Sequence, residues 1–125
     1  MIKLMRMNGV ALKVGDLERS KEWYQRHFGF EWKHDAEGCI VMAAGDIELV
    51  LSPHTNADAP LADPRTVRCI HTLAFQIPET EYAKLHREFE KEDPNIVDID
   101  HEMFRSIIVS DPDGYCVELY YNKRP

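Results

Sequence analysis

The chain has 125 residues and a formal net charge of −7, with a pI near 5.3. That length gives one domain with a modest core, and the acidic balance excludes the basic face that nucleic acid or an anionic membrane surface requires. Cys39, Cys69 and Cys116 are odd in number and widely spaced, without the pairing of a zinc knuckle or disulfide framework, so buried, reduced thiols are expected.

Met1 to Met7 is too short and too interrupted by Lys3 and Arg6 to read as a signal peptide, and no apolar run reaches membrane-spanning length, so a cytoplasmic protein is expected. Val10, Leu12 and Val14 alternate with Gly9, Ala11 and Lys13, the pattern of a half-buried strand. Asp16 is a good N-cap for a helix carrying Leu17, Ser20, Tyr24 and His27/Phe28 at helical spacing, and Gly29 suits the position just past its end. Period two returns in Phe30–Lys33 and Ile40–Ala43, separated by a turn signal at Asp35-Ala36-Glu37-Gly38, and again in Ile47–Leu51 after Gly45-Asp46.

Ser52 to Thr66 is rich in proline and aspartate and has no periodicity, which predicts a loop. The pattern then restarts, with a strand over Val67–Ile77 and a helix over Glu79–Glu92 that sets Tyr82, Leu85 and Phe89 on one side. Asp93-Pro94-Asn95 ends that helix. Strands over Ile96–Ile99, Phe104–Val109 and Tyr115–Tyr121 follow, the last entered through the turn Asp111-Pro112-Asp113-Gly114. Cys116, Glu118 and Tyr120 share one face of that strand.

The chain therefore reads as one α+β domain of two βαβββ units, residues 1–52 and 67–125 joined by a loop at 53–66, with mixed sheets curled around a shared cavity. Setting Gly9 against Thr72 places the copies 63 residues apart, and setting Glu48 against Glu118 places them 70 apart. Glu48 and Glu118 are each a mid-strand acid between apolar neighbours. Either they are solvated strand residues, or they form a carboxylate pair on a cavity, where repulsion and partial burial fit one of them for proton transfer.

Val14-Gly15-Asp16-Leu17-Glu18-Arg19-Ser20 with Trp23-Tyr24 and Phe28-Gly29-Phe30, the restart at Leu73–Ile77, and Asp111-Pro112-Asp113-Gly114 leading to Glu118-Leu119 together resemble the vicinal oxygen chelate superfamily. That group includes glyoxalase I, extradiol dioxygenases, fosfomycin-resistance enzymes and bleomycin-resistance proteins. The resemblance covers nearly the whole chain and implies the fold more than any one reaction. It also implies a small-molecule ligand or substrate, a homodimer, and in some members one divalent ion (Mn, Mg, Fe, Ni or Zn) held by histidines of the first strands and acids of the last.

On this sequence the acidic positions fall on Glu48 and Glu118, the candidate catalytic and metal-binding residues, whereas the histidine positions fall on Gly9 and Thr72. His71 is a candidate ligand only through a bulge or a different register, since a one-residue shift turns a strand side chain to the other face; a packed histidine is the alternative. Two carboxylates without imidazole suit magnesium or manganese better than zinc. Thr72, Arg105, Tyr120, Trp32 and His101 are the candidate ligand-binding residues. Arg105 offers a bidentate contact to a carboxylate or phosphonate, or else a salt bridge, and Trp32 and Tyr120 line a pocket or belong to the core. Two functions follow: a glyoxalase- or dioxygenase-like enzyme acting on a compact metabolite, or a metal-free protein that sequesters a cationic or aromatic ligand.

Overall fold

The computed structural model of the protein describes residues 1–54 and 72–123. The chain divides into two compact units, Met1–Leu61 and Ala62–Pro125, and each carries one helix and a four-stranded mixed sheet.

The first unit runs β1 (Gly9–Val14), α1 (Leu17–Phe28), β2 (Glu31–Ala36), β3 (Cys39–Ala44) and β4 (Ile47–Pro53), with sheet order β1-β4-β3-β2. β1 lies parallel to β4, and the hairpins β2–β3 and β3–β4 are antiparallel. The Asp16 carboxylate accepts from the Arg19 N–H at 3.0 Å, and Gly29 closes α1 in the left-handed region at φ 68°, which a residue without Cβ adopts freely. The β2–β3 turn is tighter than the sequence suggests. Asp35 and Ala36 remain paired in the ladder, and Glu37 (φ 50°) and Gly38 (φ 81°) alone make the turn, the positive-φ pair that matches the twist of a two-residue hairpin.

The second unit repeats the plan as β5 (Thr72–Gln76), α2 (Glu79–Glu92), β6 (Val97–Asp100), β7 (Phe104–Ser110) and β8 (Cys116–Asn122), in the order β5-β8-β7-β6. β5 is parallel to β8. The strand expected over Val67–Ile77 is described from Thr72 onward, and its first part, with most of the loop at 53–66, lies outside the described residues. α2 starts after Pro78 without a side-chain cap; Glu79 and Glu81 in its first turn suit the positive end of the helix dipole. Among the described residues no helix is long and apolar enough to cross a membrane.

Alternation sorts each sheet into two faces. In the first unit Leu12, Val14, Ile40, Met42, Leu49 and Leu51 are buried, and α1 packs on β3 and β4 through buried Ser20 and Tyr24. In the second, Leu73, Ile107, Val109, Val117 and Leu119 are buried together with Tyr82, Leu85 and Phe89 of α2. Glu48 and Glu118 both alternate to the opposite, open faces.

Candidate functional site: two open sheet faces

On the first open face Glu48 of β4 is flanked by Gly9 of β1 and Ala43 of β3. A Cβ added to Gly9 would lie 2.1 Å from the Glu48 backbone oxygen and 3.0 Å from its Cβ. The glycine is there because the two backbones approach too closely for any side chain. The Glu48 N–H also donates to the Asn8 carbonyl at 3.2 Å.

β2 brings a cation to this carboxylate. Lys33 follows Trp32, which pairs with core residue Met42, so alternation sets it on the Glu48 face, and the register shift between Trp32 and His34 leaves it as the extra residue of a bulge. The Lys33 ammonium lies 3.6 Å from Glu48 Oε2, with the lysine side chain 50% exposed and the glutamate 30%.

The second open face is built on β8. Glu118 stands between Ala74 of β5 and Ile108 of β7, Thr72 lies opposite Cys116, and Ser106 opposite Tyr120. Thr72, Ser106, Cys116, Glu118 and Tyr120 therefore share a face. The Ser106 hydroxyl, wholly buried, donates to Glu118 Oε2 at 3.2 Å. No basic side chain among the described residues forms an ion pair with Glu118, so the two acids differ in kind: one has a cationic partner, the other a neutral donor. They also differ in register, since Glu48 lies opposite Gly9, whereas Glu118 lies two residues beyond the position opposite Thr72. An offset of two keeps the face.

β8 is set by the turn before it. Asp111 is buried; its Oδ1 accepts from the N–H groups of Asp113 and Tyr115 at 2.9 Å each, and its N–H donates to the Tyr115 carbonyl at 2.9 Å. This closed turn delivers β8, and with it Glu118, in register beside β7.

The helix side of the second unit carries a separate polar cluster centred on Asp98. Its carboxylate accepts from the Tyr82 hydroxyl at 2.8 Å and from Arg105 Nη2 at 3.2 Å, and lies 3.3 Å from His86 Nε2. The Arg105 guanidinium also stacks over the Tyr82 ring, 5.2 Å from its centroid. Burial, then the hydrogen bond to Asp98, pushes the Tyr82 hydroxyl up to about 12. The hydrogen bond from Arg105 holds the Asp98 carboxyl below its usual value, and that to Asp98 raises Arg105.

Of the residues singled out from the sequence, Thr72, Tyr120 and Glu118 are brought together on one face. Arg105 is on the other: odd-numbered in β7 with Ile107 and Val109, it faces α2 and is engaged by Asp98. Trp32 pairs with core residue Met42 rather than lying beside Glu48; it is 49% exposed and donates to Asp35 at 2.9 Å. His101 stacks on Phe104 with centroids 4.7 Å apart and accepts from the Met103 N–H at 3.0 Å. His71 lies outside the described residues. Ser106 and Lys33 are the additions that sequence reading missed.

Among the described residues, the donors beside Glu48 do not fit the divalent ion that the resemblance implies for some members. The Gly9 position is closed to any side chain, Thr72 offers a hydroxyl, and Glu48 has an ammonium partner. Among the described residues no group of three or more His, Cys, Asp or Glu side chains is placed to hold a metal ion.

Two mixed four-stranded sheets, each backed by one helix and carrying an acid on its last strand, define a fold of two βαβββ units. The chain belongs to the Glyoxalase/Bleomycin resistance protein/Dioxygenase superfamily, whose family model matches residues 6–119. Among solved structures it is similar to the glyoxylase/bleomycin resistance protein/dioxygenase domain from Frankia sp. EAN1pec, at 19% identity and TM-score 0.81, covering 98% of this chain and 95% of that one. It is also similar to the fosfomycin resistance protein FosX from Listeria monocytogenes (17% identity, TM-score 0.77, 98% and 97% covered). A glyoxalase/dioxygenase from Nostoc punctiforme gives 18% identity and TM-score 0.74, with 95% and 92% covered. Among curated proteins no sequence match was found.

Proposed function

We propose that the protein binds a compact cationic or aromatic small molecule on the open face of its second unit, without a metal ion, in the manner of the ligand-sequestering members of its superfamily. The observation that carries this reading is the state of Glu118, a half-buried carboxylate fixed by a neutral hydroxyl and paired with no cation among the described residues. A charge held in a low-dielectric setting without a counter-ion attracts a cationic ligand more strongly than one already paired. Tyr120 on the same face supplies an aromatic surface for stacking or cation–π contact. A homodimer is the expected assembly, to be tested by sedimentation.

The test is a thermal-shift screen of cationic and aromatic compounds in the presence of a chelator, on the wild type and Glu118→Gln. A stabilising compound should act without metal and lose its effect in the variant. Absence of any stabilising compound across a broad set counts against the reading.

A second reading, a glyoxalase- or dioxygenase-like enzyme with Glu118 and Glu48 in catalytic or metal-binding roles, is favoured by one feature. Glu118 is already oriented by Ser106, as a proton-transfer group must be. It predicts stoichiometric binding of a divalent ion that Glu118→Gln abolishes.

A further inference from the structure

We propose that the open face of the first unit excludes divalent metal ions, with Lys33 as the resident cation of Glu48. This inference rests on the assignment of the open faces and is independent of the ligand proposed for Glu118.

Three independent features of the chain converge on it. The first is steric. The first-strand position directly opposite Glu48 is Gly9, whose absent Cβ would fall 2.1 Å from a backbone oxygen. No imidazole or carboxylate can be placed there without parting β1 from β4, whose ladder runs from Gly9–Glu48 to Val14–Pro53.

The second is electrostatic. An ion bound to Glu48 would share that carboxylate with the Lys33 ammonium, 3.6 Å from Oε2, and would meet like charge at close range in a partly buried setting. The third is the means of delivery. Trp32 pairs with core residue Met42, so strand alternation sets Lys33 on the face of Val41, Ala43 and Glu48, and the register shift between Trp32 and His34 leaves Lys33 as the extra residue of a bulge on that side. The other cross-strand neighbour of Glu48 is Ala43, which has no donor.

Lys33 thus makes the charge of the Glu48 carboxylate internal to the protein. The two units, alike in topology, are divided in electrostatic role: the first is neutralised by its own lysine, and the second presents the uncompensated acid to a ligand.

The test uses the full chain and calorimetric titration with Mn²⁺ and Ni²⁺. Glu48→Gln should leave the affinity for each ion unchanged from wild type, including the case in which neither protein binds. A loss of about tenfold or more in Glu48→Gln, the scale expected when a group that holds or supports a metal is removed, overturns the proposal. Lys33→His, which puts an imidazole where the ammonium stands, should gain Ni²⁺ affinity by at least about tenfold, and the gain should vanish in Lys33→His/Glu48→Gln. No gain in a Lys33→His protein that melts at the wild-type temperature would show that Lys33 is not the cation at Glu48, and would equally overturn it. Because no small-molecule ligand enters the assay, its outcome is separate from that of the ligand screen.

Discussion

Lys33 Nζ lies 3.6 Å from Glu48 Oε2, while Glu118, the corresponding acid of the second unit, takes its hydrogen bond from the Ser106 hydroxyl. Two carboxylates that look interchangeable as mid-strand acids thus have opposite surroundings, one compensated and one not. The cause lies in their neighbours: a bulged strand with a lysine beside the first, and an unbroken hairpin with a serine beside the second.

The Lys33–Glu48 pair is too exposed to matter much for stability. Partial solvation screens it, and ordering the lysine offsets part of the attraction, so Lys33→Met should change unfolding free energy by no more than about 1 kcal/mol. Urea denaturation of the variant checks this, and a much larger loss would mean that the pair is structural.

Gly9 should tolerate no side chain. Gly9→Ala puts a Cβ within 2.1 Å of the Glu48 backbone oxygen, and the required shift of two paired strands should lower stability by about 1–3 kcal/mol. Gly9→His should be no better and should gain no metal affinity, as comparison of melting curves with and without Ni²⁺ would reveal.

Ser106→Ala removes a buried hydroxyl and leaves one Glu118 oxygen without its donor. The loss of that hydrogen bond should lower stability by about 0.5–1.5 kcal/mol. Stabilisation by any ligand of the Glu118 face should fall further, because the freed carboxylate samples more rotamers. Ser106→Thr, which keeps the hydroxyl, should restore ligand stabilisation better than Ser106→Ala.

The Asp98 cluster predicts stability changes at both ends of the pH scale. Tyr82 is raised from 10.0 to about 12, so its contribution is complete below the unfolded value near 10 and is lost as pH rises from there through 12. Wild type should therefore lose stability over that interval, and Tyr82→Phe should lose less. Asp98 has a lowered folded pKa, so its contribution is present above the unfolded value of 3.8 and is lost as pH falls through the folded one. Asp98→Asn should be the less stable protein at neutral pH, and the gap should narrow below about pH 4. Thermal denaturation across pH checks both limbs.

Much of this was legible in the chain itself. The alternation of Val10, Leu12 and Val14, the Asp16 cap, Gly29 and the Asp111–Gly114 turn are local signals, and local signals determine element type well. Parity along β7 also carried information that a reading for charge alone passes over. Arg105 shares its parity with Ile107 and Val109 and so faces the helix, and Ser106 shares its parity with Ile108 and so faces with Glu118. The bulge at Lys33 was not legible, because nothing in Trp32-Lys33-His34 marks the register shift that β2 makes against β3 there. Gly9 lies between these cases. A glycine in a strand signals close backbone approach, yet which backbone approaches is a long-range fact that only the fold supplies.

The most direct test of the central claim, that Glu118 binds a cationic or aromatic ligand without metal, is ligand-induced thermal stabilisation measured in chelator on wild type, Glu118→Gln and Glu48→Gln. The account predicts a compound that raises the melting temperature of wild type and Glu48→Gln alike and fails to do so with Glu118→Gln. Stabilisation that appears only when a divalent ion is added, or that survives in Glu118→Gln, would contradict it.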